Sequence, residues 1–115
     1  MQLLVRGREG GKEKRRAAVA LARAYMYGEG AAQDYAAALR FARLSADKGH
    51  AAGEGNLGTL YANGWGVPQD VREGIKFFAK AAAKGEEVAI KNLRTLAAGG
   101  VPEASAALRR LRLAP

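Results

Sequence analysis

Apolar residues recur along this chain at three- and four-residue steps, in blocks separated by glycine-rich breaks, the pattern of successive amphipathic helices. From Glu13 to Tyr27, the residues Ala17, Ala20, Leu21, Ala24 and Tyr25 fall on one face and predict a first helix. Gly28 stops it, because glycine takes the left-handed cap conformation without steric cost. Asp34 is placed to cap a second helix, which carries Ala38, Leu39, Phe41, Ala42 and Ala46 inward and ends at Lys48-Gly49. A third helix, 51–63, presents Leu57, Leu60 and Tyr61 and runs into the turn Gly64-Trp65-Gly66-Val67-Pro68. Asp70 opens a fourth, 70–84, and Glu73 three residues later completes a capping-box-like pattern. A fifth helix, Glu86–Ala98, and a last one over roughly 103–112, without a capping aspartate, finish the series. Gly53, Gly55 and Gly58 each weaken helix 51–63 by about 0.8–1 kcal/mol relative to alanine, so its helicity must come from packing.

These blocks are copies of one another at an offset of 36 residues. Tyr25 falls on Tyr61, Gly28 and Gly30 on Gly64 and Gly66, Gln33 and Asp34 on Gln69 and Asp70, Phe41 on Phe77, and Lys48-Gly49 on Lys84-Gly85. The register continues as Asn56, Leu57, Thr59 and Leu60 meet Asn92, Leu93, Thr95 and Leu96. A period of this length, kept at glycines and apolar positions, predicts an all-α solenoid of antiparallel helix pairs joined by short connections. Residues 1–12, with three glycines among charges, read as a flexible basic arm, and 13–115 as the repeat domain. Its repeats span about 17–52 and 53–88, with a degenerate third at 89–113, or two and a half in all. Arg94, where the second repeat has Gly58, predicts that the stack ends there with a polar outer face.

The second repeat reads Gly49-His50-Ala51, then Asn56-Leu57-Gly58-Thr59-Leu60-Tyr61, then Gly64-Trp65-Gly66-Val67-Pro68-Gln69-Asp70, with Ile75, Phe77, Phe78 and Lys80-Ala81-Ala82 following. In this it resembles the Sel-1-like repeat family, helix–turn–helix solenoids related to tetratricopeptide repeats. The resemblance covers residues 17–101. Repeat one departs from the pattern at Ala31-Ala32 and Ala42, and repeat three at Arg94 and Ala97. What the resemblance implies is a right-handed stack serving as an adaptor, a scaffold or a small subunit of a larger assembly. Some secreted members are cysteine-bridged and linked to penicillin binding; this chain has no cysteine, which disfavours that branch and leaves hydrolase or penicillin-binding activity a remote alternative.

Composition narrows the function classes. Without cysteine there are no disulfides, thiol nucleophiles or thiolate metal sites, and the one histidine, His50, reads as a helix-start residue. Ser45 and Ser105 have no neighbouring base in sequence, and the turn glycines follow no strand, so phosphate-loop readings fail on context. A non-enzymatic protein with no cofactor and no metal is expected. No apolar run approaches the roughly 20 residues needed to span a bilayer. Cytoplasmic residence is expected, with organelle import as the alternative for an Arg-rich start that lacks serine. The net charge of +8 is concentrated at the ends: residues 1–16 carry six basic and two acidic residues, and 102–115 three basic and one acidic.

The expected function is protein–protein interaction. In related helical repeats the first helix of each pair lines the concave face, which aligns Ala20, Asn56 and Asn92; Arg23, Thr59 and Thr95; and Tyr27, Asn63 and Gly99. Asparagine is a poor residue for a helix interior unless its amide is used, either by a ligand or by an adjacent helix. Trp65, between two turn glycines, either tucks against the next repeat or anchors a partner. The candidate partner-binding residues are therefore Arg23, Tyr27, Asn56, Thr59, Asn63, Trp65, Asn92 and Thr95. The candidate contacts to an anionic surface are Arg6, Arg8, Lys12, Lys14, Arg15 and Arg16 in the arm and Lys76, Lys80 and Lys84 along helix 70–84. An acidic protein partner fits this charge, and a stack of two and a half repeats, short for a self-sufficient one, gives self-association as a further expectation. Nucleic acid bound through the arm is the rival reading, weakened because the arm has no aromatic for stacking on bases.

Overall fold

Each short helix carries an apolar stripe that it cannot bury alone, and the chain answers this by laying helix pairs against one another. The computed structural model describes residues 16–115. Among them are six helices and no strand: α1 (16–27), α2 (Tyr35–Asp47), α3 (Ala51–Asn63), α4 (Val71–Ala83), α5 (Glu87–Ala98) and α6 (Pro102–Arg110). From α2 onward each helix packs on the next, and α4 also touches α6, the second helix of the following pair. The result is an all-α, tetratricopeptide-like helical solenoid. The arm expected over residues 1–12, and the beginning of the first helix, lie outside the described residues. None of the described helices is long and apolar enough to cross a membrane.

The 36-residue repetition of Gln and Asp has a local cause. Gly28 and Gly64 end α1 and α3 with left-handed φ values of 68° and 70°, which reverses the chain. The Asp34 and Asp70 amides then donate back to the Tyr25 and Tyr61 carbonyls at 2.9 and 2.8 Å. Gln33 and Gln69 donate through Nε2 to the Met26 and Ala62 carbonyls at 2.9 and 3.0 Å. The same aspartates accept from the Ala37 and Glu73 amides at 3.1 and 3.0 Å, capping α2 and α4. Each Gln-Asp pair thus satisfies orphan groups on both sides of its turn. The capping box expected at Asp70 is only half formed. The Asp70 N–H is already given to Tyr61, so the Glu73 carboxylate turns to Lys76 at 3.6 Å instead.

Two apolar clusters form the core. One gathers Ala22, Met26, Ala38, Ala42, Leu57 and Leu60; the other joins Ile75, Phe78, Ala81, Ala89, Leu93, Ala104 and Leu108. Tyr25 stacks on Phe41 at 5.8 Å and Tyr61 on Phe77 at 5.6 Å, the same pairing one period apart. The inner face of α1 differs from the expectation: Ala18, Ala22 and Met26 are buried, whereas Ala17, Ala20 and Leu21 are exposed. Leu57 and Leu93, one and two periods after Leu21, are 3% and 0% exposed, but Leu21 is 38% exposed. Its counterparts are covered by a preceding pair, and α1 has none among the described residues. At the other end α6 is shorter than expected, and Arg94 donates from Nε to the Ala114 carbonyl at 2.9 Å.

Close backbone approach between α3 and α4 depends on Gly58 and Gly74. A methyl at Gly58 would stand 2.7 Å from Phe78 and 2.9 Å from the Gly74 carbonyl oxygen. The glycine that weakens an isolated helix is what lets the pair close. Within the second pair, Lys84 Nζ meets Glu54 Oε1 at 2.6 Å, and it also reaches the Gly49 carbonyl in the turn after α2 at 2.7 Å. The Glu54 side chain is only 8% exposed, so the pair holds a buried carboxylate in place.

Two predictions follow from this packing. Gly58→Ala is expected to destabilise the chain by about 1–3 kcal/mol through overpacking. Gly99→Ala, at φ −78° with no severe contact, should stabilise it by about 0.4–1 kcal/mol; urea midpoints of the two variants should therefore move in opposite directions. Lys84→Met, which leaves the Glu54 carboxylate without its counter-ion, should lose about 1–2 kcal/mol, because the Lys84 side chain is 44% exposed and solvent screens the pair. Glu54→Gln combined with Lys84→Met should recover part of that loss, and a double-mutant cycle giving no coupling would rule this out.

Candidate functional site

The first helices of the pairs, α1, α3 and α5, place their outward residues along one side of the stack. Arg23, Tyr27, Asn56, Thr59, Asn63, Trp65 and Asn92 line one concavity of about 330 Å³. A smaller one of about 190 Å³ shares Thr59, Asn63 and Asn92 with it and adds Thr95. The eight candidate partner-binding residues are thus brought together on adjoining hollows. Val19, Ala52, Gly55, Glu86 and Val88 also line the larger hollow and were not among the candidates. Four of them were within reach of the sequence: Val19, Ala52, Gly55 and Val88 lie one helical turn before Arg23, Asn56, Thr59 and Asn92. Glu86 follows no such ladder; it is the N-cap of α5, its carboxylate accepting from the Val88 and Ala89 amides.

The polar groups of the hollow are not equally available. Thr59 and Thr95 turn their hydroxyls onto the Gly55 and Lys91 carbonyls of their own helices at 3.1 and 3.0 Å. Asn63 donates to the Thr59 carbonyl at 2.9 Å. Asn56 stands apart: its Nδ2 is buried and finds no hydrogen-bond partner among the described residues. An unmet buried donor of this kind costs about 1–3 kcal/mol. Trp65 is half-buried and packs backward, not onto the next repeat: it stacks on Tyr35 at 5.2 Å and meets Tyr27 edge-on at 6.2 Å. Tyr27 remains 48% exposed at the rim.

The basic candidates divide. Arg6, Arg8, Lys12, Lys14 and Arg15 lie outside the described residues, and Arg16 is exposed at the beginning of α1. Lys76 pairs with Glu73, Lys80 lies over the Phe77 ring at 5.3 Å, and Arg72 pairs with Glu103 at 3.0 Å. Lys84 is engaged by Glu54 and Gly49 within the fold. The four-residue spacing places these side chains along one helix, but partners on that helix for Lys76 and Lys80 and on other helices for Arg72 and Lys84 break up the stripe. His50 is the N-cap of α3 and makes no side-chain capping bond. Ser45 is wholly buried, its hydroxyl given to the Phe41 and Ala42 carbonyls. Among the described residues, no three His, Asp or Glu side chains gather as a metal site would require.

Comparison with known proteins agrees with this architecture. The family described as Sel1 repeat matches the chain twice, over residues 15–50 and 51–86. No curated protein and no solved structure gives a match. Sel1 repeats are generally protein–protein interaction modules and typically non-catalytic. The two matches adjoin, together span more than half of the residues and carry α1 and α3, two of the three helices that build the hollow, so the chain belongs to the Sel1 repeat family.

Proposed function

We propose that this chain is a non-catalytic adaptor that holds an extended segment of a protein partner along the hollow built by α1, α3 and α5. The observation that carries the reading is the Asn56 amide, a buried donor left unmet by the fold and set in a concave wall with Asn92 one period further on. Once the side chain turns its amide toward the hollow, Asn56 can give that donor to a peptide carbonyl, and Asn92 offers the same chemistry to the next stretch of backbone. Tyr27 and Trp65 give an apolar side chain a place to pack at one end of the hollow. Arg23, on the same wall, favours an acidic residue in the bound segment. The hydroxyls of Thr59 and Thr95, turned inward on their helices, shape the floor and take a smaller part in recognition.

This reading gives Asn56 an unusual signature. Asn56→Ala removes a donor that the fold does not use, so its melting temperature should stay level or rise, while partner binding weakens. Peptides selected on the wild-type chain from a displayed random library should lose about tenfold in affinity for Asn56→Ala. A variant that melts several degrees lower yet keeps its affinity would make Asn56 a structural residue and remove the basis of the proposal.

A further inference from the structure

A second surface lies on the opposite side of the stack, where α4 and α6 run side by side. Between the first two pairs, Arg43 of α2 donates from Nη2 to the Tyr61 hydroxyl at 3.0 Å, bridging adjacent repeats. One period later the two positions are Ala79 and Ala97. Both ends of the bridge are gone, and Ala79 instead lines a cleft of about 710 Å³. Its floor is apolar, made by Ile75, Phe77, Ala79, Ala83 and Ala106, and its rim holds Arg72, Lys76, Lys80 and Arg110 with Glu73 and Glu103. The two glutamates are taken up by Lys76 and Arg72. Lys80 and Arg110 have no carboxylate partner among the described residues, so the rim keeps a net positive charge.

We propose that this cleft is a docking site, separate from the concave hollow, for an acidic amphipathic helix of a partner protein. An apolar floor between two helices takes the row of side chains that such a helix presents at three- and four-residue steps. A basic rim pairs with acidic residues flanking that row. Charge argues against a second copy of this chain as the occupant, because the chain carries +8 overall and the rim is itself positive. The recessed floor argues against a bilayer, which would meet the rim before reaching Phe77. Lys80, lying over Phe77, covers part of the floor and would swing to a carboxylate when the helix enters.

The test uses the full chain and a fluorescein-labelled peptide of about 18 residues, five helical turns, with leucines on one face and glutamates elsewhere. Its controls are a scrambled sequence of the same composition and a version with lysines replacing the glutamates. At physiological ionic strength the patterned acidic peptide should bind at least about tenfold more tightly than either control. Ala79→Arg, which restores the residue found in the first repeat, should weaken that binding about tenfold. It adds a positive charge, so a loss reports blockage and not weakened attraction. Ala106→Arg should do the same if Ala79→Arg lowers the melting temperature, and Asn56→Ala should leave binding unchanged. Equal binding of the scrambled peptide, or indifference to both arginine variants, would overturn the proposal. So would a dimer in sedimentation that Ala79→Arg dissolves, or binding to phosphatidylserine vesicles in preference to the peptide.

Discussion

A helix pair whose apolar stripe is made largely of alanine can bury that stripe only by lying against another such pair, and most of the structure follows from this requirement. Alanine and glycine contribute little area each, so the backbones must come close for dispersion and burial to outweigh the entropy of ordering. The crossing of α3 and α4 at Gly58 and Gly74, and that of α2 and α3 at Gly53, show this closeness. The same requirement accounts for the polar fittings. With little apolar area available, the turns after α1 and α3 are each tied by a Gln and an Asp that answer both helix ends. Glu54, buried within the second pair, is tolerated because Lys84 reaches it from the end of the following helix.

Stacking also divides the surface by chemistry. First helices turn asparagine, threonine and aromatic edges to the concave side, a wall suited to reading an extended backbone. Second helices turn aliphatic and basic residues to the other side, suited to a helix. Exact repetition would make both faces uniform. Departures from repetition, Arg43 against Ala79 and Tyr61 against Ala97, distinguish the second junction from the first, and Ala79 lines the cleft found there.

Much of this was legible in the sequence because it is periodic. The 36-residue offset located the turns, the capping aspartates and the ladder of Arg23, Asn56, Asn92 and Thr95, since residues in register must share a face of a stacked helix. What periodicity could not give was any contact between positions that are not equivalent. Lys84 was read as part of a surface stripe because Glu54 lies 30 residues away on another helix. The reciprocal cap at Asp70 failed because its amide was claimed by Tyr61, across a turn. The face of α1 was misjudged because its neighbours, and not its own pattern, decide which alanines are covered. Trp65 was read as either tucked against the next repeat or offered to a partner, and it packs on Tyr35 behind it, a choice set by loop geometry that a repeat pattern does not encode.

The half-exposed Leu21 bears on how such a molecule grips anything. Among the described residues the pair α1 and α2 is held on one side only, and such a pair opens at lower free energy than one enclosed on both. Arg23 and Tyr27 sit on that pair, and the hollow keeps its full outline only while it is docked. Occupancy of the hollow and docking of α1 and α2 are therefore thermodynamically linked: whatever fills the hollow helps to hold that pair in place, and whatever holds the pair sharpens the grip.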